Sequence, residues 1–234
     1  MMFPPVTVMI ITYNRPNEIR QTIAALHSRI RYVGDVHWHI ADDGSPGDYV
    51  NQIVSDFPSL PMTFTKTRRR GWGANANAAL AAIPGQYLFV CEDDYVAMSD
   101  VDLTSGVALM QEQSHIGLVR YDGIEGHKLT VQLNTHSSST AYVQYGIVLP
   151  ESADLYMYSN RPHLVHRRFH DYYGIYPEGL PLGRTEETYA HMVKDHEEKF
   201  YKIAVLSTGI PRAFNHIGVS YQLTEEDVAV PKGK

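Results

Sequence analysis

The chain has 234 residues, 44% of them hydrophobic, with 20 basic side chains against 26 acidic ones and a formal net charge of −6. That length fits one large domain or two small ones, and the acidic balance excludes a global basic excess of the kind that advertises nucleic-acid binding. A lone cysteine, Cys91, excludes an intrachain disulfide, and a reducing, cytoplasmic setting is the simplest expectation. The apolar run Val6 to Ile11 is too short for a signal-peptide core or a membrane span, so no membrane span is expected.

In chain order, Val6 to Ile11 reads as a continuous β-branched strand of the sort found in parallel sheets covered on both faces. Pro16 can open a helix in its first turn, and Ile19, Ile23 and Leu26 recur at helical spacing, which predicts a helix over 17–28. A second strand, 36–41, ends in Asp42, Asp43 and the turn residues Gly44 to Gly47. A helix over 49–57, a short strand over 62–66, the basic loop Arg68-Arg69-Arg70-Gly71 and an Ala-rich helix over 75–83 follow.

The next stretch, Tyr87 to Asp94, is the centre of the chain. Strand formers run to Cys91 and stop at three acids, Glu92, Asp93 and Asp94. Burying unpaired carboxylates costs several kcal/mol, so the chain is expected to surface there, at the C-terminal edge of a sheet. Ligands of open α/β sheets bind at that edge, and adjacent acids suit a hard divalent cation. The strand–helix alternation predicts a doubly wound α/β half over about 1–100, with Thr12-Tyr13-Asn14, Asp42-Asp43 and Glu92-Asp93-Asp94 along one edge.

Beyond 105 the pattern loosens. The expectation is a helix over 101–113, strands over 117–121, 129–133 and 141–149 with a polar loop at 134–140, short helices and loops over 151–182, a helix over 186–199, a strand over 201–206, and a polar end from 224 that frays. No linker separates two independently folding units, so one domain over 1–234 is expected, with a smaller acceptor-binding half at about 106–234.

Val6 to Arg15, Ala41-Asp-Asp-Gly-Ser45, Arg70-Gly-Trp-Gly-Ala-Asn-Ala-Asn77 and Glu92-Asp-Asp94, in this order, resemble the GT-A glycosyltransferases, family 2 in particular. The resemblance implies a GT-A type α/β fold: a Rossmann-like nucleotide-binding half with a mostly parallel sheet, fused to a smaller acceptor half. It implies a hexosyltransferase using a nucleotide sugar, UDP-linked by expectation, with Mn²⁺ or Mg²⁺. Thr12, Tyr13 and Asn14 would lie in the donor site, Asp43 would accept from the uracil imide, Asp42 would support its loop, and Asn77 would sit on the helix closing over the nucleotide. Asp94 would bind the metal, with Asp93 and Glu92 toward the ribose.

The same resemblance places a catalytic base at the start of a late helix, where Glu187 is the first candidate and Glu186 the second. A competing reading has Thr185 capping that helix and the two acids answering its dipole. Asn215-His216-Ile217-Gly218 resembles the late histidine that completes the metal site. His163, His166 and His170 could share a helix face, and with Arg167, Arg168, Tyr172 and Tyr173 they read as an acceptor-facing wall. The acceptor is expected to be a hydroxyl, on a glycan or on a modified DNA base. Two other classes fit parts of the pattern: a nucleotidyltransferase, although Thr12-Tyr13-Asn14 stands where its Gly-rich phosphate loop belongs, and a non-catalytic nucleotide- or carbohydrate-binding module.

Overall fold

In the computed structural model, residues 3–121, 131–137, 142–149, 151–152, 158–196, 200–206 and 213–218 are described. Parts of the expected strand at 129–133, the loop at 134–140, the segment 151–182 and the helix tail at 197–199 lie outside them, as does the polar end from 224.

Among the described residues one nine-stranded sheet is the frame. Its strands are β1 (Val6–Thr12), β3 (Val36–Asp42), β4 (Met62–Lys66), β5 (Tyr87–Glu92), β8 (Ile116–Arg120), β9 (Val131–Ser137), β10 (Tyr142–Val148), β11 (His163–His166) and β12 (Lys202–Leu206), in the order β4-β3-β1-β5-β11-β8-β12-β10-β9. β4, β3, β1 and β5 pair in parallel. β11 enters antiparallel between β5 and β8, and β10 is antiparallel to both β12 and β9. Since β8 and β12 pair in parallel, every strand but β11 and β10 points the same way, which makes the sheet mostly parallel in direction. Two small ribbons flank it: β2 (Ile30–Arg31) with β7 (Val101–Asp102), and β6 (Tyr95–Ala97) with β13 (Phe214–His216).

The pleat sorts β1 onto two faces. Val6, Val8 and Ile10 join the core formed with α1 (Pro16–Arg29), α2 (Tyr49–Asp56) and α4 (Leu103–Glu112). Met9 and Ile11 join the opposite core with α3 (Trp72–Ala82), α5 (Arg168–Tyr173) and α6 (Leu182–Asp195). All seven β1 residues are therefore buried, as its unbroken apolar run predicts.

Register fixes the functional edge. Thr12 stands opposite Asp42, and Ile11 stands opposite both Ala41 and Glu92. The three polar strand ends expected at one edge lie at one level. Beyond them the chain is held by short bonds: Asp43 N–H donates to Thr12 O at 3.0 Å, and Asp93 N–H to Ile11 O at 3.0 Å.

Three expectations are corrected. Residues 163–166 are a central strand rather than part of a helix, so His163, His166 and His170 share no helix face. Asn134 to Ser137 belong to β9 rather than to a loop. α6 begins at Leu182, so Thr185 lies inside the helix, where its hydroxyl bonds Leu180 O and Pro181 O at 3.3 and 3.2 Å; it is no N-cap, and the first turn holds no acid. β2, β6, β7 and β13, each two or three residues long, carry no separate signal in the sequence.

Candidate active site

Each acid at the edge has its own surroundings. Asp42 is fully buried and closes its own turn: Ser45 N–H donates to both carboxylate oxygens at 3.1 Å, the Ser45 hydroxyl also bonds it, and Lys66 Nζ lies 3.8 Å away. Gly44 is obligatory in this turn, because its φ is +84° and a Cβ there would fall 2.8 Å from Arg69 N. Asp43 holds the facing loop. Its Oδ1 accepts from the Thr67 hydroxyl at 2.7 Å and Arg70 N–H at 2.7 Å, and its Oδ2 accepts from Gly71 N–H at 2.9 Å. The basic loop is thus clamped over the end of β3, and Arg69 lies over the Tyr13 ring, 3.3 Å from its centroid.

Asp93 is buried beneath Thr12 and Arg15. The Thr12 hydroxyl donates to Asp93 Oδ2 at 2.8 Å and also meets Tyr49 OH at 2.7 Å; Arg15 Nη1 donates to Asp93 Oδ1 at 3.1 Å. Burial pushes the Asp93 pKa up to about 6, against the pull of Arg15 and the Thr12 bond. Thr12 is itself buried, whereas of the other two residues expected in the donor site Tyr13 is half-buried and Asn14 exposed. Asn14 takes a left-handed turn, φ +49°, and its N–H bonds the Ser45 hydroxyl at 2.8 Å.

Asp94 is the point of convergence. Its Oδ2 bonds Arg15 Nη1 and lies 3.2 Å from His216 Nε2. Its Oδ1 is buried with no hydrogen-bond partner. Its backbone oxygen accepts from Ile217 N–H at 2.8 Å, which ties the late segment to the acidic edge. Among the described residues no three His, Cys, Asp or Glu side chains form a closed metal cage. The donor set nevertheless fits a divalent cation: one carboxylate with an orphaned oxygen and one imidazole beside it. Mg²⁺ and Mn²⁺ in nucleotide sites take few protein ligands and complete their shell with phosphates and water.

Glu92 turns inward. Its Oε1 is buried without a partner, and burial, then Asp94, Glu186 and Asp93, push its pKa well above the carboxylate range. Glu186 comes to this side of the site from α6 and accepts Asn160 N–H at 2.9 Å. Glu187, one residue on, pairs with Arg184 at 2.5 Å, a partly exposed i,i+3 contact. Asn77 bonds the backbone of Tyr176 in both directions, at 2.9 and 3.1 Å, and Glu178 at 3.0 Å, so its amide holds the loop before α6 against α3.

The supposed acceptor wall is elsewhere. β11 runs antiparallel to β5, with His166 opposite Tyr87, so the residues after it reach the other edge of the sheet. There Arg167 bonds Gly85 O and Ile83 O, and Arg168 bonds Met110 O and Ile116 O at 2.8 Å. Both arginines satisfy carbonyls at element ends, and Tyr173 is buried. Sequence reasoning missed Arg15. Its only sequence signal is its place after Thr12-Tyr13-Asn14, a motif in which it received no role.

The sequence pattern of glycosyl transferase family 2 matches residues 7–170. No curated protein matches the chain. Among solved structures, S. aureus TarS is similar at 18% identity and a TM-score of 0.64 over 92% of this chain and 37% of that one. TarS 1-349 in complex with UDP-GlcNAc gives 18% and 0.62 over 96% of this chain and 63% of that one. The mannosyltransferase PcManGT from Pyrobaculum calidifontis, in complex with GDP-Man and Mn²⁺, gives 15% and 0.60 over 90% and 58%. The chain thus spans less than two thirds of the length of each of these solved chains.

Proposed function

The chain belongs to glycosyl transferase family 2 and is a GT-A glycosyltransferase, and on that footing we propose that it moves a hexose from a UDP-sugar to a hydroxyl acceptor, with inversion. The observation that carries this reading is the Asp94 carboxylate, with one buried oxygen unpartnered and the other 3.2 Å from His216 Nε2, at the strand edge where Asp43 holds the basic loop. Asp94 and His216 would hold Mn²⁺ or Mg²⁺. Such an ion supplies a Lewis acid that offsets charge on the departing diphosphate. Tyr13 and the Asp43 loop flank the place of the base. The Asp43 oxygens already take three protein donors, which leaves one of about four lone-pair positions for a uracil imide. Arg68, Arg69 and Arg70 bring positive charge to the same rim.

Inversion needs a carboxylate that takes the acceptor hydroxyl's proton as its oxygen attacks the anomeric carbon. We assign that role to Glu186. It lies on the Glu92 side of the site, whereas Glu187 is engaged by Arg184. The resemblance alone put Glu187 first. The acceptor is read as a glycan hydroxyl, because Arg167 and Arg168, one of the two arginine clusters that could meet DNA, serve carbonyls at the far edge of the sheet. The test is release of UDP from a panel of UDP-hexoses with Mn²⁺, with and without candidate glycans. Sugar-dependent UDP release that stops on chelation supports the reading. Equal release after chelation, or none from any UDP-sugar, overturns it.

A further inference from the structure

Arg15 occupies an unusual place for an arginine. β1 ends at Thr12, Asn14 turns the chain in the left-handed region, and Pro16 starts α1, which leaves Arg15 as the residue before the helix. From there a single nitrogen, Nη1, serves both acids: Asp93 Oδ1 at 3.1 Å and Asp94 Oδ2. The acids' side chains are 5% and 3% exposed, while that of Arg15 is 26% exposed. The guanidinium therefore covers the carboxylates from the solvent side. Burial alone would lower the Arg15 pKa, but Asp93 and Asp94 together raise it.

The oxygen that Arg15 holds, Asp94 Oδ2, is the one that faces His216 Nε2. A divalent cation at Asp94 and a guanidinium on the same oxygen would be like charges a few ångströms apart in a poorly solvated site. One of them has to leave. The fork of an arginine pairs with phosphate as well as with carboxylate, so an arriving diphosphate competes with the two acids for the Arg15 guanidinium. We propose that Arg15 is a resident counter-cation, which keeps a divalent ion off Asp94 until a nucleoside diphosphate draws the guanidinium away, so that ion and nucleotide bind as a pair. The protein would then keep its acids neutralised at rest, and metal and nucleotide affinities would rise together by the reciprocity of linkage.

This inference rests on the metal-dependent reading above. The experiment is Mn²⁺ binding, read by electron paramagnetic resonance of the free ion, in wild type and Arg15→Gln, each with and without UDP. Phosphates also ligate the ion, so UDP is expected to tighten Mn²⁺ binding in wild type whatever Arg15 does. The deciding arm is Mn²⁺ alone. Arg15→Gln should bind it roughly tenfold or more tighter than wild type, since one positive charge is removed at close range. The further tightening by UDP should shrink in the variant. Unchanged or weaker Mn²⁺ binding by Arg15→Gln without UDP, while UDP still recruits the ion, overturns the inference and leaves the metal reading standing. No Mn²⁺ binding in any arm, UDP included, overturns both. Thermal melts establish that the variant folds. If it does not, Arg15→Met is used, which keeps an extended side chain and removes the charge, and it should also bind Mn²⁺ alone more tightly than wild type; equal affinity overturns the inference.

Discussion

A Cβ placed on Gly218 would fall 2.0 Å from Asp94 Oδ2 and 2.8 Å from its carboxyl carbon. The late segment and the acidic strand end are therefore in direct contact, and only hydrogen fits between them. Gly218→Ala must push the Asp94 carboxylate, or the segment carrying His216, out of place. Calorimetric titration of UDP with Mn²⁺ should show binding weakened tenfold or more, with the thermal transition of the fold retained. Unchanged affinity would mean that this contact has no part in the site.

Glu186 and Glu187 make a paired test. Glu186→Gln should abolish sugar transfer, with a loss of two or more orders of magnitude, and leave UDP affinity within about threefold, because a base acts on the acceptor rather than on the nucleotide. Glu187→Gln should remain active, since it removes only a surface pair worth under about 1 kcal/mol. Steady-state rates of both variants settle the assignment, and the reverse pattern returns the base to Glu187.

Asp43 acts on the nucleotide through the loop it holds. Asp43→Asn keeps one of the two oxygens, so either Arg70 N–H, held by Oδ1, or Gly71 N–H, held by Oδ2, then faces an amide nitrogen that cannot accept it. Leaving such donors unpaired costs about 1–3 kcal/mol. Proteolysis within residues 67–71 should speed up and UDP binding should fall tenfold or more. A variant with wild-type cleavage and affinity would contradict the clamp.

The fold should weaken in acid through buried histidines. Burial pushes His39 down to about 4, and its ring nitrogens lie 2.8 and 3.2 Å from the hydroxyls of Thr63 and Thr65 on β4. Burial likewise lowers His166 to about 4 and His170 to about 3. In the unfolded chain such a ring takes a proton near pH 6.5, whereas in the fold it stays neutral. The stabilising contribution is complete above pH 6.5 and is lost as pH falls from 6.5 toward 4. For His39 the span is worth about 3 kcal/mol. Urea unfolding between pH 7 and 4 should show this fall, and His39→Gln should flatten it. An unchanged slope would place the sensitivity elsewhere.

Much of the nucleotide half was legible in the sequence because local signals and tertiary needs agree there. β1 is an unbroken β-branched run, Pro16 sits at the first helical position, and acids end β3 and β5 at one edge, although Asp42, Asp43, Asp93 and Asp94 are buried there rather than surfacing as expected. The second half was less legible. His163 to His166 form a strand because the slot between β5 and β8 takes one, and four residues rich in histidine carry little strand signal of their own. Arg167 and Arg168 looked like a binding wall because sequence shows charge but not direction. Arg15 went unassigned because its partners lie 78 and 79 residues away. The acids of α6 were ranked by resemblance to a pair at a helix start, and α6 starts earlier, at Leu182.

In the function proposed above, the strand edge at Asp43, Asp93 and Asp94 binds a nucleoside diphosphate together with a divalent cation. Calorimetric titration of UDP, GDP, CDP and ADP, with Mn²⁺ and with chelator, tests it most directly. UDP should bind with Mn²⁺, and both chelation and Asp94→Ala should abolish binding. UDP binding that survives chelation, or no nucleotide binding at all with Mn²⁺ present, would contradict it.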